Sequence, residues 1–352
     1  MRRKEFHMAN RALLDSIDYA NGTIRLDGKE YKLLDSNFPT IDPDNPYELS
    51  SEEALVVERL TSAFTNCEKL QRHMNLIMDR LVHAFVGCEK LQEHMRFLLA
   101  KGGLYKVYNN NLLYHGCIPL NEDGSFKAVD IYGKKYKGKA LYEVLEAYVR
   151  KAFVAIDENE REKGKDILWF IWSSPGSPLF GKQKMATFER YFLAEKETHE
   201  EKKNPYYRLL EDETVINRIM REFGLEEGCA HIVNGHVPVH HAAGESPIKC
   251  NGKVLVIDGG FSKAYQKETG IAGYTLIYNS WGMILAAHEP FTSAEDAITR
   301  ETDILSDSIL VKRSMIRKTV EDTDNGRKLK ENIEELKALL AAYRSGTIIE
   351  KE

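Results

Sequence analysis

The chain has 352 residues, of which 43% are hydrophobic and 29% charged, with a formal net charge of -5. This composition is typical of an ordinary globular protein with one large or two modest domains. The negative charge disfavours nucleic acid as a partner, and no apolar run approaches the roughly 20 residues that span a bilayer. The five cysteines form no Cys-x-x-Cys pair, and the N-terminus lacks the apolar core of a secretory signal, so a cytoplasmic location is expected.

The N-terminal region predicts a hairpin, a loop and then a long helix. Asn21-Gly22 and Asp27-Gly28 are turn signals. Ser50 is a typical N-cap, and apolar residues recur at helical spacing from Leu55 to Leu99. We therefore expect a long helical segment that is either continuous or broken into a pair.

A tandem repeat lies inside this helical segment. The pattern that spans Ala63–Met74 returns over Ala84–Met95, an offset of 84 − 63 = 21 residues. Since 21 residues are close to six turns at about 3.6 residues each, both copies present nearly the same helix face. A small duplication that lengthens a surface helix is the favoured interpretation, and a heptad-compatible helix-pairing or subunit-contact segment is the alternative.

The middle of the chain is rich in lysine and aromatic residues. Residues 132–139 predict a hairpin turn that leads into a helix over residues 140–155. The apolar run Leu168–Trp172 is expected to be core.

Alternating apolar residues predict the later elements. A helix is expected over residues 212–223, strands near 230–233, 254–257, 274–278 and 283–288, and helices over 294–299 and 328–343. Tight turns such as Asn251-Gly252 suggest that these strands pair antiparallel.

Two histidines stand in matching contexts. His115 and His236 each lie beside a glycine just past a short apolar run. This placement holds an imidazole at a sheet edge, as a metal ligand requires, although a single turn histidine is more often structural. Cys117 is a weaker nucleophile candidate, because a cysteine phosphatase needs a nearby downstream arginine that residues 118–126 do not contain.

The two histidine contexts resemble the later histidine motifs of calcineurin-like metallophosphoesterases, in which two divalent metals activate water for attack on phosphorus. A longer set of motifs resembles the class III fructose-1,6-bisphosphatases of Firmicutes. These motifs lie at residues 37–43, 121–126, 177–182, 187–192, 259–265 and 271–280. The resemblance implies hydrolysis of fructose 1,6-bisphosphate to fructose 6-phosphate and phosphate in gluconeogenesis.

The resemblance also implies roles for particular residues. His115 and His236 would bind the Mn²⁺ ions, with His240 as a weaker third candidate, and Asp258, Gly259 and Gly260 would support them. A sugar bisphosphate carries about four negative charges and needs fixed cations. The candidates for this substrate site are Lys182, Lys184, Arg190, Lys202 and Lys203.

The Gly-Asp-x-His, Gly-Asp-x-x-Asp-Arg-Gly and Gly-Asn-His-Asp/Glu motifs of such enzymes do not occur in the sequence. The chain is therefore expected to correspond to the C-terminal portion of the family and to be inactive alone. A separate N-terminal polypeptide that completes the site, a non-catalytic remnant, another metallophosphoesterase and a homo-oligomer stay open.

These observations predict an α/β fold with layered sheets. It would be part of a metallophosphoesterase-like β-sandwich flanked by helices, with a long helical segment near the N-terminus. The expected divisions are an N-terminal hairpin and loop over 1–50, the helical segment over 51–103, the core over 104–305 with an insertion at about 127–210, and a tail and helix over 306–352.

Overall fold

A computed structural model describes residues 13–39, 41–226, 228–258, 263–291, 293–301 and 306–349. Two compact units form within them. The first comprises the described residues up to Gly103 together with Leu145–Lys203, and the second comprises Leu104–Val144 and the described residues from Asn204 onward. The four-segment division is a different partition and stays a prediction. The mixed α/β class is confirmed.

The first unit begins with a small antiparallel meander. Its strands are β1 (Ile17–Asp18), β2 (Thr23–Leu26) and β3 (Lys29–Lys32). The predicted turn at Asp27-Gly28 joins β2 to β3 with φ values of 50° and 80°, the left-handed backbone that a tight hairpin turn requires. Ile24 of β2 is fully buried and packs in one cluster with Leu193.

Three helices occupy the predicted helical segment, where the sequence suggested one or two. They are α1 (Ser51–Thr65), α2 (Glu68–Val86) and α3 (Glu89–Lys101). Ser50 and Glu53 exchange side-chain and backbone hydrogen bonds, so the predicted N-cap is confirmed as a capping box. The breaks fall at Cys67 and Cys88, which are equivalent positions in the two repeat copies. Each copy therefore spans a junction between two helices.

The repeat copies form similar junctions and lie at the surface of the unit. Gln71 Nε2 donates to the carbonyl oxygen of Phe64, 3.1 Å away, and the equivalent Gln92 donates to Val86, so each glutamine caps the preceding helix. None of the residues in α1, α2 or α3 is buried. Leu81 is 63% exposed. The interpretation of the repeat as a surface extension agrees with this exposure.

The rest of the first unit is helical. The helices are α4 (Gly138–Val154), α5 (Glu158–Ser173) and α6 (Thr187–Phe192), and the division between the units falls within α4. The run Leu168–Trp172 lies at the end of α5. Phe170 and Ile171 are buried, whereas Trp169 is 43% and Trp172 66% exposed. The prediction of a core segment is therefore wrong for three of the five residues, Leu168, Trp169 and Trp172, because only one face of the helix points inward.

The second unit contains three sheets and further helices. The strands are β4 (Tyr105–Tyr108), β5 (Asn111–Tyr114), β6 (Val129–Ile131), β7 (Lys134–Tyr136), β8 (His231–Asn234), β9 (Ile248–Lys249), β10 (Val254–Val256), β11 (Gly273–Asn279), β12 (Gly282–His288) and β13 (Ser306–Arg313). The helices are α7 (Glu213–Glu222), α8 (Lys263–Thr269), α9 (Ala294–Thr299) and α10 (Asp324–Arg344). Among the described residues, no helix is long and apolar enough to cross a membrane.

The principal sheet has the strand order β4-β5-β8-β10-β9. Strands β5 and β8 pair parallel, as do β8 and β10. The expectation of antiparallel pairing is wrong here, because the turn at Asn251-Gly252 returns the chain from β9 to β10 and not from β8 to β10. The same expectation is confirmed for β11 and β12, which pair antiparallel over their full lengths.

The second unit is layered, which confirms a β-sandwich flanked by helix. Val233 and Leu255 of the principal sheet pack against Met283 of the β11-β12-β13 sheet. On the opposite face, Ile232 clusters with Ile219 of α7. The ends of the parallel strands are thus held between two apolar layers.

His231 lies at the start of β8 in this layered region. It is 7% exposed, and its Nδ1 lies 3.2 Å from Asn111 Oδ1. Burial, and then the charges of Lys312 and Lys318, lower the pKa of His231 from 6.5 to about 4. The folded protein therefore holds this imidazole in its neutral form.

We predict that His231 makes the fold sensitive to acid. Between about pH 6.5 and about pH 4 the unfolded chain binds a proton that the folded chain does not, so stability falls as the pH falls. The loss attributable to His231 is at most about 3 kcal/mol. Urea unfolding at about pH 7 and about pH 4.5 should show a smaller pH-dependent loss for His231→Gln than for the wild type. Equal losses in both proteins would contradict the assignment.

We also predict that one repeat copy is dispensable for folding. Deletion of residues 67–87 removes 21 residues and joins Asn66 directly to Cys88, which recreates a single junction of the same sequence type. Because α1, α2 and α3 bury no residue, the melting temperature should stay within about 2 °C. Circular dichroism during heating measures it. A large drop would show that the second copy carries contacts essential to the unit.

Candidate functional site

Three parallel strands end at the same edge of the principal sheet. His115 follows β5, Gly235-His236 follows β8, and Asp258 lies two residues beyond β10. Backbone hydrogen bonds join these ends: Gly235 N donates to His115 O at 2.9 Å, and Ile257 N donates to Asn234 O at 2.9 Å. The parallel register therefore brings together residues that are more than 100 positions apart in the chain.

His115 and His236, the two predicted metal ligands, are in direct contact. The Nε2 atom of His115 lies 3.0 Å from the Nδ1 atom of His236, and the ring centroids are 4.9 Å apart. His236 has φ 70°, a left-handed conformation that histidine adopts more readily than most residues. The turn aims the second imidazole at the first.

The environment of His115 favours its uncharged form. The pKa of His115 is lowered, first by desolvation and then by the neighbouring His236, while the carboxylate of Asp258 opposes this shift. A neutral imidazole is the form that binds a metal ion.

The spacing of the two nitrogens fits a shared ion. Two nitrogen ligands at about 2.1 Å from one ion, at right angles, are about 3 Å apart. The observed 3.0 Å separation, at which one imidazole hydrogen-bonds to the other, matches this value. Among the described residues, however, no three His, Cys, Asp or Glu side chains form a group that could hold a metal. The pair would therefore supply two donors to such an ion, which would need others.

Asn234 is a site residue that the sequence did not single out. Its Nδ2 donates to Gly116 O at 3.1 Å, which ties the turn after β8 to the turn after β5. The side chain is 2% exposed, and its Oδ1 is buried with no hydrogen-bond partner among the described residues. The signal in the sequence was the asparagine directly before Gly235-His236.

Cys117 is not a nucleophile in this setting. It is fully buried in the core below the histidine turns. Burial raises the pKa of the Cys117 thiol to about 12, although the Tyr207 side chain and the charge of Lys127 oppose this shift. Because a thiol of this pKa is uncharged near neutral pH, the cysteine-phosphatase alternative fails.

The other predicted supporting residues lie as follows. His240 is exposed, and its backbone N–H donates to Glu245 Oε2 at 3.0 Å. Its side chain forms no three-residue donor group with His115 and His236 within the described ranges. The backbone oxygen of Asp258 accepts from Val239 N at 2.9 Å. Gly259 and Gly260 lie outside the described residues.

The five predicted phosphate-binding residues all lie in the first unit, where acidic partners accompany three of them. Lys182 Nζ lies 2.8 Å from Glu201 Oε2, and Arg190 Nη2 lies 3.4 Å from Glu201 Oε1. Lys184 Nζ lies 3.1 Å from Glu189 Oε1. The sequence pattern did not reveal these acids as partners.

Lys184 and Glu189 form a buried ion pair. The Glu189 side chain is 0% and the Lys184 side chain 17% exposed, and Lys184 also donates to Thr198 O at 2.9 Å. Lys202 and Lys203 are exposed, and Lys203 pairs with Lys182 in an isolated β-bridge. The bridge joins the backbones of Lys182 and Lys203, which lie at the two ends of this segment.

Comparison with known proteins reveals a close likeness along the chain. The profile of the Firmicute fructose-1,6-bisphosphatase family matches residues 1–80 and 75–345. A class 3 fructose-1,6-bisphosphatase of Listeria monocytogenes is 52% identical over 99% of this chain and 50% of its own length. The class 3 enzymes of Clostridium acetobutylicum and Clostridioides difficile are each 53% identical over the same shares. No solved structure matches.

Two further facts concern how far these matches extend along the relatives and along this chain. The chain spans about half the length of the curated relatives that it matches. The two profile matches meet at residues 75–80, between the repeat copies at Ala63–Met74 and Ala84–Met95. The family pattern is therefore continuous on either side of the duplication.

We predict that the Lys184–Glu189 pair is a structural element of the basic segment. Glu189→Gln leaves the Lys184 charge without its buried counterion, so the free energy of unfolding should fall by about 3 kcal/mol. The matched control is Glu201→Gln, whose partners Lys182 and Arg190 are 41% and 58% exposed; it should cost less than about 1 kcal/mol. Urea unfolding measures both, and equal losses would refute the distinction.

Proposed function

The chain belongs to the Firmicute fructose-1,6-bisphosphatase family, and from this membership we propose that it takes part in the hydrolysis of fructose 1,6-bisphosphate. The products are fructose 6-phosphate and phosphate, as in gluconeogenesis. The observation that carries the proposal is the contact between His115 and His236, 3.0 Å apart at the ends of two parallel strands. The five cysteines, free of disulfides, support a cytoplasmic setting.

We propose that His115 and His236 hold Mn²⁺, in a two-metal site of the calcineurin-like type. Manganese suits a ligand shell of mixed nitrogen and oxygen atoms. When bound, the ions would polarise phosphoryl oxygens and make water nucleophilic near neutral pH. The protein's own part is orientation: the hydrogen bond from Gly235 N to His115 O fixes one turn against the other.

We propose supporting roles for the remaining candidates. The Asp258 carboxylate acts on His115 through its charge, with Gly259 and Gly260 allowing close backbone approach. Lys182, Lys184, Arg190, Lys202 and Lys203 supply the positive charge that recognises phosphate. Exposed Lys202 and Lys203 are the most available of these, since Lys182, Lys184 and Arg190 are engaged by Glu189 and Glu201.

The donor set supports a further proposal, that this chain alone does not turn over substrate. Two neutral nitrogens cannot complete two metal shells, and the motifs that supply the other ligands in such enzymes do not occur in the sequence. The remaining ligands would then come from other protein groups.

We predict that the purified chain binds Mn²⁺ weakly through the histidine pair and releases no phosphate from fructose 1,6-bisphosphate above the buffer background. His115→Ala and His236→Ala should each weaken Mn²⁺ binding by at least about 10-fold, because each removes one of two nitrogen donors. His94→Ala, an exposed histidine on α3, is the matched control and should bind as the wild type does. Electron paramagnetic resonance of free Mn²⁺ measures the affinity, and a phosphate assay measures the turnover.

Two outcomes would overturn parts of this proposal. Sustained phosphate release that disappears in His236→Ala would show that the chain is active by itself. Release from a phosphodiester or a phosphoprotein in preference to fructose 1,6-bisphosphate would favour another metallophosphoesterase activity.

A further inference from the structure

We propose that Asn234 is a third protein ligand of the cation site, with its side-chain oxygen placed to contact the ion that His115 and His236 hold. This inference rests on the proposed function. The side chain is 2% exposed, and its Oδ1 has no donor among the described residues. Buried amide oxygens are nearly always hydrogen-bonded, so an unmatched oxygen on the residue two positions before His236 points to a partner that the described residues do not supply.

The orientation of the amide is fixed by its other end. Nδ2 lies 3.1 Å from the carbonyl oxygen of Gly116, which can only accept a hydrogen bond. Rotating the amide by half a turn would set two oxygens against each other, so the nitrogen must face Gly116. The oxygen is consequently the amide atom that has no hydrogen-bond partner among the described residues. It belongs to the residue two positions before His236 and is tied to the residue directly after His115.

A second buried asparagine shows what a purely structural role looks like. Asn204 is 4% exposed, and its Oδ1 accepts from the backbone N–H groups of Leu120 and Tyr206, at 3.2 and 3.0 Å. Its oxygen is fully used within the protein. Asn234 has the same burial and the same type of side chain, yet its oxygen is unused.

An amide oxygen would also add a metal-coordinating atom to a site that has only two imidazole nitrogens. Within the described ranges, no three His, Cys, Asp or Glu side chains gather there. Carbonyl-type oxygens are preferred ligands of Mn²⁺ and Mg²⁺. Asn234 would add one neutral oxygen to the two imidazole nitrogens, and its Nδ2 hydrogen bond would hold that oxygen in place.

The test compares Mn²⁺ affinity in four proteins. Asn234→Ala should weaken binding by about 10-fold or more. Asn234→Asp keeps an oxygen and adds a negative charge that attracts the cation; this charge should outweigh the loss of the bond to Gly116, so the variant should bind at least as tightly as the wild type. Asn204→Ala is the matched control; it should lower the melting temperature while leaving the Mn²⁺ affinity of the folded protein unchanged. Electron paramagnetic resonance of free Mn²⁺ gives the affinities, and circular dichroism verifies folding.

A second readout keeps the test decisive if a variant folds poorly. Mn²⁺ should raise the melting temperature of Asn234→Asp at least as much as that of the wild type, and of Asn234→Ala much less. Equal affinities for wild type and Asn234→Ala would overturn the ligand role, as would Asn234→Asp losing affinity as much as Asn234→Ala does. If the wild type itself bound no Mn²⁺, the histidine site of the proposed function would fail, and the role of Asn234 with it.

Discussion

The parallel pairing of β5, β8 and β10 is the constraint on which the candidate site depends. Leu113 lies opposite Val233, and Asn234 opposite Val256, so the three strands end at nearly the same level. The residues that follow them therefore meet, although the chain separates them widely. An antiparallel partner in place of β8 would have carried the Gly235-His236 turn to the far edge of the sheet. The apolar layers on both faces keep this register fixed, since a one-residue slip would turn Ile232 and Val233 to the wrong sides.

Local chemistry made several elements predictable from the sequence. The Ser50 cap, the Asp27-Gly28 turn and the histidine after each short apolar run are signals carried within a few residues. The pairing of strands is not local. Asn251-Gly252 was a correct turn signal, but it joins β10 to β9, and nothing near it specifies that β8 lies parallel on the other side. The hydrophobic pattern of β8 and β10 suits either direction, because both strands are buried.

The sequence also did not show which charged residues pair with each other. Lysines and acids are both abundant in the basic segment, and the sequence did not show that Glu189 is buried against Lys184 while Glu201 receives Lys182 and Arg190. The helical repeat shows the same limit. Its 21-residue offset suggested one continuous face, but Cys67 and Cys88 each begin a new helix. A break between two helices changes only a few backbone dihedral angles. The helical spacing of the apolar residues continues through it, so that spacing does not reveal the break.

The absence of charge on the imidazole donors limits what the histidine pair could contribute to a metal site. Two imidazoles, and an amide oxygen if Asn234 joins them, are neutral donors, so they can direct a divalent cation but cannot balance its charge. Asp258 is the acidic group whose charge is felt by His115, and one carboxylate offsets only half of one divalent ion. A pair of such ions, as proposed, would therefore need further anionic ligands, and the proposed sugar bisphosphate would bring about four negative charges of its own. Under the proposed function, the strand ends of this chain would therefore contribute orientation, and the balancing charge would come from other protein groups and from the substrate.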